Sequence, residues 1–250
     1  MNVFFAAAEE DARRELIAWQ AKMLRPPSLM DQLSRKLQQK LNSFIPEKIH
    51  QGITVAMKQM IRGVLFGAEL VTRKTQTKKS LLETENKVRE RINFYRTAAA
   101  AEGGITGAGG ILMGLADFPI FLSLKLKLLF EISALYGYAT EDYRERIYLL
   151  HIFQLAFSSA EKRSEIYLQM IDWETQIQSL PSDIHQFDWR SFQQEYRDYI
   201  DLAKMAQLVP VIGAPVGVVA NYKLTDKLGT TAMNAYRMRW FATSSEIANS

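Results

Sequence analysis

Between Gly103 and Leu124 the chain reads GGITGAGGILMGLADFPIFLSL, 22 residues with six glycines and one charged side chain, Asp117. Lys125 and Lys127 follow at once. Such a segment has three candidate fates: a membrane span, a glycine-cradled ligand loop, or a helix packed inside the protein. Its length suffices for a hydrocarbon core of about 30 Å, but Asp117 and Pro119 sit deep within it and a charge there is expensive. Each glycine also costs a helix about 1 kcal/mol relative to alanine. The stretch GAGGILMG superficially resembles a dinucleotide fingerprint, yet no strand precedes it and no βαβ unit surrounds it. No Gly-Lys-Ser/Thr follows any glycine run, so a Walker loop is excluded. A buried, hairpin-like core element is the expectation, with reversible membrane insertion of the glycine segments as the sharper alternative.

The rest of the chain carries helical periodicity and few alternating runs flanked by turn signals, so the fold class is all-α, a multi-helix single domain with two glycine-rich apolar segments packed in the core. A first helix runs from about Ala6 to Leu24 and stops at Pro26-Pro27. Ser28 and Asp31 stand in capping-box spacing before a stripe of Leu29, Leu33, Leu37 and Leu41. Pro46 opens a helix through Val71. A charged helix, SLLETENKVRERINFYRTAAAA, leads into the glycine tract, and a long helix from Phe118 to Tyr136 leaves it, stopped by Gly137. Thr140 caps the next helix, another covers KRSEIYLQMIDWETQIQSL, and a polar one spans Trp189 to Leu208. The expected division is an N-terminal helix over 1–25, a helical domain over 26–241, and a disordered tail over 242–250.

The second uncharged stretch, AQLVPVIGAPVGVVANY, repeats the design of the first. Gly110 and Gly114 precede Asp117; Gly213 and Gly217 precede Asn221. Gly63 and Gly67 form a third such pair. Glycines four apart share a helix face and let another backbone approach. Asp117 precedes Phe118-Pro119, which places it as an N-cap accepting the N–H of Ile120, with Asn221 its neutral counterpart. Down the following helix Lys127 and Glu131 stand at i, i+4 and form one charge pair on an apolar helix, while Lys125 points to nearly the opposite side.

Catalytic and metal chemistry is hard to find. There is no cysteine, and no two of His50, His151 and His185 are spaced for a metal site; each fits a surface or satisfied core position. Asp172 with Glu174 and Asp198 with Asp201 read as solvated helix surface. RMRWF and RERINFYR mix basic and aromatic side chains, which suits a membrane interface or nucleic acid, but also an amphipathic helix whose basic stems cover apolar surface. Charge is unevenly placed. Residues 21–100 carry 16 Lys/Arg against 6 Asp/Glu, and residues 141–205 carry 7 against 12. The basic part can meet lipid headgroups, nucleic acid, or the acidic part of its own chain. The N-terminus lacks the basic lead and apolar core of an export signal, so the expected location is cytoplasmic.

The stretch GGITGAGGILMGLADFPIFLSLKLKLLFEISALYGY, the helix EDYRERIYLLHIFQLA and the segment VPVIGAPVGVVANYKLTDKLGTTAMNAYRMR together resemble the EcsC protein family over roughly residues 20–240. The positions that match are Gly107, Gly110, Gly114, Asp117, Lys127, Glu131, Tyr136, Gly137, Gly213, Gly217 and Asn221. Lysine stands at 127 where many relatives carry arginine, so a bidentate contact there does not transfer. The resemblance implies a bacterial protein without an established activity, from a family named for an operon that also encodes an ABC-type transporter. The expected role is therefore a non-enzymatic peripheral membrane or transporter-associated protein on the inner face of the membrane, with an anionic surface or an ABC-type transporter as partner. No cofactor, metal or specific nucleic acid is expected. The alternative is a small-molecule or lipid-binding protein, or a hydrolase, with a pocket between the glycine segments near Asp117, Lys127 and Glu131.

Overall fold

A computed structural model describes residues 2–28, 47–66, 80–107, 110–188, 190–192, 196 and 214–248. The protein is all-α, and no strand occurs among the described residues. The helices are α1 (Asn2–Leu24), α2 (Glu47–Phe66), α3 (Leu81–Gly107), α4 (Gly110–Leu135), α5 (Tyr143–Phe157), α6 (Ala160–Ile171), α7 (Trp173–Ser179) and α8 (Ala214–Ala248). Asp31 of the expected capping box, the leucine stripe, the helix start at Pro46, most of the polar helix Trp189–Leu208, and Gly67 and Gly213 lie outside the described residues. So do the side chains of residues 103–118 and 206–217, and with them most of the expected packing of the glycine segments in the core.

Three long helices make the spine. α3 and α8 are antiparallel, since Glu85 meets Arg237, Ile92 meets Gly229, and Arg96 meets Asp226. α4 is antiparallel to α3, with Tyr95 bonded to Glu131, and so runs alongside α8, with Tyr136 stacked on Tyr236 at 5.3 Å. α2 packs on α4 and α5, while α1 lies across α3, α6 and α8. α5 is buried along most of its length, from Ile147 to Phe157, because it is surrounded by α2, α6 and α8. Apolar area removed from water on this scale is the main stabilising term, at about 25 cal/mol per Å².

Some local expectations hold. α1 stops before Pro26-Pro27. The charged helix forms as α3, and Ser80, not among the expected caps, caps it, its Oγ accepting the N–H of Glu83. Gly137 has φ 88°, and its N–H bonds Ala134 O while Tyr138 N–H bonds Ser133 O. Those two bonds define a Schellman stop, which requires a left-handed residue and therefore favours glycine.

Four expectations are overturned. α4 begins at Gly110 and runs unbroken through Asp117 and Pro119, so Asp117 is interior to the helix and not its N-cap. Asn221 likewise lies inside α8, which starts at Ala214, and is fully buried. An N-cap needs non-helical backbone angles, and both residues are helical. Proline inside a helix costs about 3 kcal/mol, which the burial of α4 against α2, α3 and α8 outweighs; Pro119 itself is exposed. Asp142, not Thr140, caps α5, because its extended backbone lets its carboxylate accept the N–H of Arg144 at 2.9 Å. The expected single helix after Ala160 breaks at Asp172, whose φ and ψ of −111° and 42° reorient Trp173 into the core.

Two glycines separate close approach from open space. A Cβ added at Gly229 would lie 2.5 Å from Ile92 Cγ1, so α8 meets α3 here only through glycine. A Cβ at Gly63 would meet nothing within 4 Å, so Gly63 does not serve the close packing that its spacing suggests. Gly229→Ala is expected to lower stability by about 1–3 kcal/mol through overpacking. Gly63→Ala should raise it by about 0.4–1 kcal/mol by removing unfolded-state freedom. Urea unfolding of both variants checks this; equal effects of the two would contradict the assigned packing.

Candidate functional site

The spine carries polar groups at three levels. At the end where α3 begins, Arg237 is 1% exposed and its guanidinium takes both oxygens of Glu85, at 2.5 and 2.7 Å. Glu15 of α1 adds an ion pair at 2.8 Å. Burial opposes the charge on Arg237, but Glu85 and Glu15 outweigh it and raise its pKa. Two residues on, and on nearly the opposite side of α8, Arg239 bonds Glu145 at 2.7 Å and Glu174 at 2.6 Å. Its guanidinium carbon lies 3.6 Å from the Tyr138 ring centre and 4.8 Å from that of Tyr148. Tyr236 donates to the other oxygen of Glu145. The chemistry here is satisfied: planar forks on carboxylates, roofed by aromatic faces.

At the middle level Glu131 accepts the Tyr95 hydroxyl at 2.7 Å and pairs with Arg91 at 3.6 Å. Burial, then the neighbouring Glu131, raises the Tyr95 pKa and keeps its proton in place. The expected pair of Glu131 with Lys127 does not form; Lys127 is exposed, and the partners of Glu131 come from α3. The lysine that enters the interior is Lys125, which is fully buried. Burial lowers its pKa to about 8, opposed by the charge of Glu102 on α3.

The third level lies where the glycine segments join the spine. The antiparallel pairing of Ile92 with Gly229 and Arg96 with Asp226 continues two turns on to bring Glu102 level with Asn221. Asn221 is 0% exposed and Thr225, one turn later, is 1% exposed. Both amide atoms of Asn221 and the hydroxyl of Thr225 are closed to solvent and make no hydrogen bond among the described residues. Unsatisfied buried groups are uncommon in native proteins and cost about 1–3 kcal/mol each. Lys125, Glu102, Asn221 and Thr225 therefore form a desolvated polar layer with hydrogen-bonding capacity to spare at Asn221 and Thr225.

The structure thus brings Asn221 to this layer, and puts Glu131 and the buried Tyr136 in the adjoining levels; Tyr136 donates to Met233 O at 3.5 Å. Gly137 is a structural stop. Gly107, Gly110, Gly114, Asp117 and Gly217 lie in helical backbone whose side-chain surroundings lie outside the described residues. Sequence reasoning missed Lys125, Glu85, Glu145, Arg237 and Arg239. The available signal was a charge on the otherwise apolar stripe of a helix: RMR within AMNAYRMRWF, and Glu145 before IYLL. Among the described residues no group of His, Asp and Glu is placed to hold a metal, and no helix is long and apolar enough to cross a membrane.

The EcsC protein family profile matches residues 10–241, which takes in α3, α4 and α8 as far as Phe241. The chain belongs to the EcsC protein family. It is 44% identical to Protein EcsC of Bacillus subtilis (strain 168) over 227 residues, 90% of this chain and 93% of that one. It is 28% identical to the uncharacterized protein YdbA of the same organism, over 84% of each chain. No solved structure matches the chain.

The Lys125 environment in this EcsC family member gives a pH dependence whose sign is fixed. Below about pH 8 the lysine is protonated in both folded and unfolded states, and above its ordinary value of 10.5 it is neutral in both. Between those values the unfolded chain holds the extra proton, so stability rises with pH. Wild type should therefore gain stability relative to Lys125→Met across this window, by up to about 1.4 kcal/mol per pH unit. Urea unfolding on either side of pH 8 measures the difference, and parallel stability curves for the two proteins would refute the buried placement of Lys125.

Proposed function

We propose that this EcsC family member is a non-enzymatic interaction protein that docks on an anionic membrane surface, on the cytoplasmic side, through the end of the spine where the glycine segments join it. The observation that carries this reading is a pair of exposed apolar side chains at one level of two adjacent helices. Ile120 of α4 is 52% exposed and Val219 of α8 is 52% exposed. Lys127 lies seven residues beyond Ile120, on the same face of its helix, and Lys223 one turn beyond Val219; both are exposed. Apolar tips with lysines set back by one or two turns suit an interface where side chains enter the headgroup region and ammonium groups meet lipid phosphates. An ABC-type transporter, the partner that the family's name-giving operon suggests, would be met at the same surface.

Flotation with phosphatidylcholine vesicles containing phosphatidylglycerol tests it. Wild type should float with anionic vesicles at low salt and be released as salt rises. Ile120→Asp with Val219→Asp should cut binding about tenfold or more, since each apolar side chain buried contributes about 1.5–3 kcal/mol. Wild type that stays with the unbound fraction, or a double variant that floats unchanged, would overturn the proposal.

A second reading, a lipid or other small-molecule site between the glycine segments, is favoured by the unbonded Asn221 and Thr225 beside Lys125. A ligand bringing both acceptors and donors would complete that layer. Native mass spectrometry of the purified protein should then show a bound mass that Asn221→Leu abolishes; a bare chain mass under gentle conditions argues against it.

A further inference from the structure

Far from the spine's open end, α5, α6, α7 and the chain beyond α7 enclose a cavity of about 370 Å³, within the range of small-molecule sites. Its buried end is formed by Gln154, Trp173 and Tyr196, its flanks by His151, Phe187 and Phe192, and its outer edge by Gln169 and Gln176. Among the described residues no Asp, Glu, Lys or Arg lines it. Enclosure pushes His151 down to about 4, against the pull of its bond to Gln154, so the imidazole is neutral. This is an uncharged pocket walled by rings.

The hydrogen-bond pattern assigns two further properties. Gln154 donates from Nε2 to Tyr196 O at 3.5 Å, which leaves its Oε1 as the acceptor facing His151 Nδ1 at 3.3 Å. Nδ1 of a neutral ring must then carry the proton, and Nε2 carries a lone pair. Trp173 is 3% exposed, and its indole N–H is buried with no hydrogen-bond partner among the described residues. The two rings lie 5.6 Å apart. A buried donor that lacks an acceptor among the described residues is thus carried by a ring beside an acceptor imidazole, and both rings line one cavity.

We infer that this pocket binds an uncharged planar ring bearing a cyclic amide or imide edge, the chemistry of a uracil- or guanine-type nucleobase. The ring carbonyl would take the Trp173 N–H, the ring N–H would donate to His151 Nε2, and the aromatic flanks would cover the faces. Gln169 and Gln176, each both donor and acceptor, would meet the remaining polar edge. With no cation among the described lining residues to favour a phosphate, the base or nucleoside fits and the nucleotide gains nothing.

Isothermal titration and ligand-observed NMR on the full chain test this with uridine, guanosine, N3-methyluridine, uridine monophosphate and glucose. Uridine or guanosine should bind, the monophosphate no more tightly than uridine, and glucose not at all. N3-methylation, which removes the donor from the ligand and leaves the protein untouched, should weaken uridine about tenfold. Trp173→Phe should weaken it similarly. Gln169→Ala with Gln176→Ala, on the more open edge, should do so with an unchanged melting temperature. Absence of both uridine and guanosine binding would overturn the inference. So would equal affinity for the N3-methyl compound, or tenfold tighter binding of the monophosphate.

Discussion

The fork of Arg237 into Glu85 joins residues 152 positions apart in sequence, in a place where the arginine is almost entirely out of water. Removing one partner of such a pair costs about 3–5 kcal/mol, because a desolvated charge is left behind, whereas replacing both by apolar groups is often neutral. Its contribution is therefore less to total stability than to register. Sliding α8 along α3 by one turn, 5.4 Å, would strand both charges. With the fork in place, Gly229 falls opposite Ile92, where no Cβ fits, and Asp226 falls against Arg96. Glu15 reaches the same guanidinium from α1, so the N-terminal helix is fastened to the spine by the same charge.

From that fixed end the spine changes character along its length. Around Arg237 and Arg239 the acceptors and donors are matched by carboxylates, and Tyr136, Tyr138, Tyr148 and Tyr236 close the space with stacked and edge contacts. Around Asn221 and Thr225 the polar atoms are as deeply buried but unmatched. Stability would be served by apolar residues at both positions. The parts of a fold where stability is forgone are those where function is expected to have a claim, and the exposed Ile120 and Val219 belong to this same end.

What was legible in the sequence follows from how local its physics is. The stop at Pro26-Pro27 and the glycine at 137 depend on one residue's own backbone preference, and both hold. Asp117 before Phe118-Pro119 carries an equally good local signal for a helix start, but packing of the whole of α4 overrides it. Lys125 and Lys127 cannot be told apart by periodicity, because α4 is apolar on almost every side; neighbours on α3 and α8 decide which lysine is buried. Arg239 and Glu145 are 94 residues apart, and nothing in either segment names the other. The layer at Asn221 was half legible: the residue was singled out, but as a helix cap and not as a buried amide.

The opposed charges of residues 21–100 and 141–205 offered a simple internal explanation, in which the basic part pairs with the acidic part. The arginines of α3 do not follow it. Arg89 pairs with Glu15 and Glu85, Arg91 with Glu131, and Arg96 with Asp226. Glu145 and Glu174 are taken instead by Arg239, from the C-terminal helix. Each of these partners lies outside the opposite block of charge. The acidic block is matched by α8 and from within itself, by Arg144 and Lys162, while the arginines of α3 are matched by carboxylates that lie elsewhere. The charge left for an outside partner at the end bearing Ile120 and Val219 is that of the exposed Lys127 and Lys223. Ammonium groups act over about 10 Å at ordinary ionic strength, so in the proposed docking they would orient an anionic surface before any apolar side chain touched it.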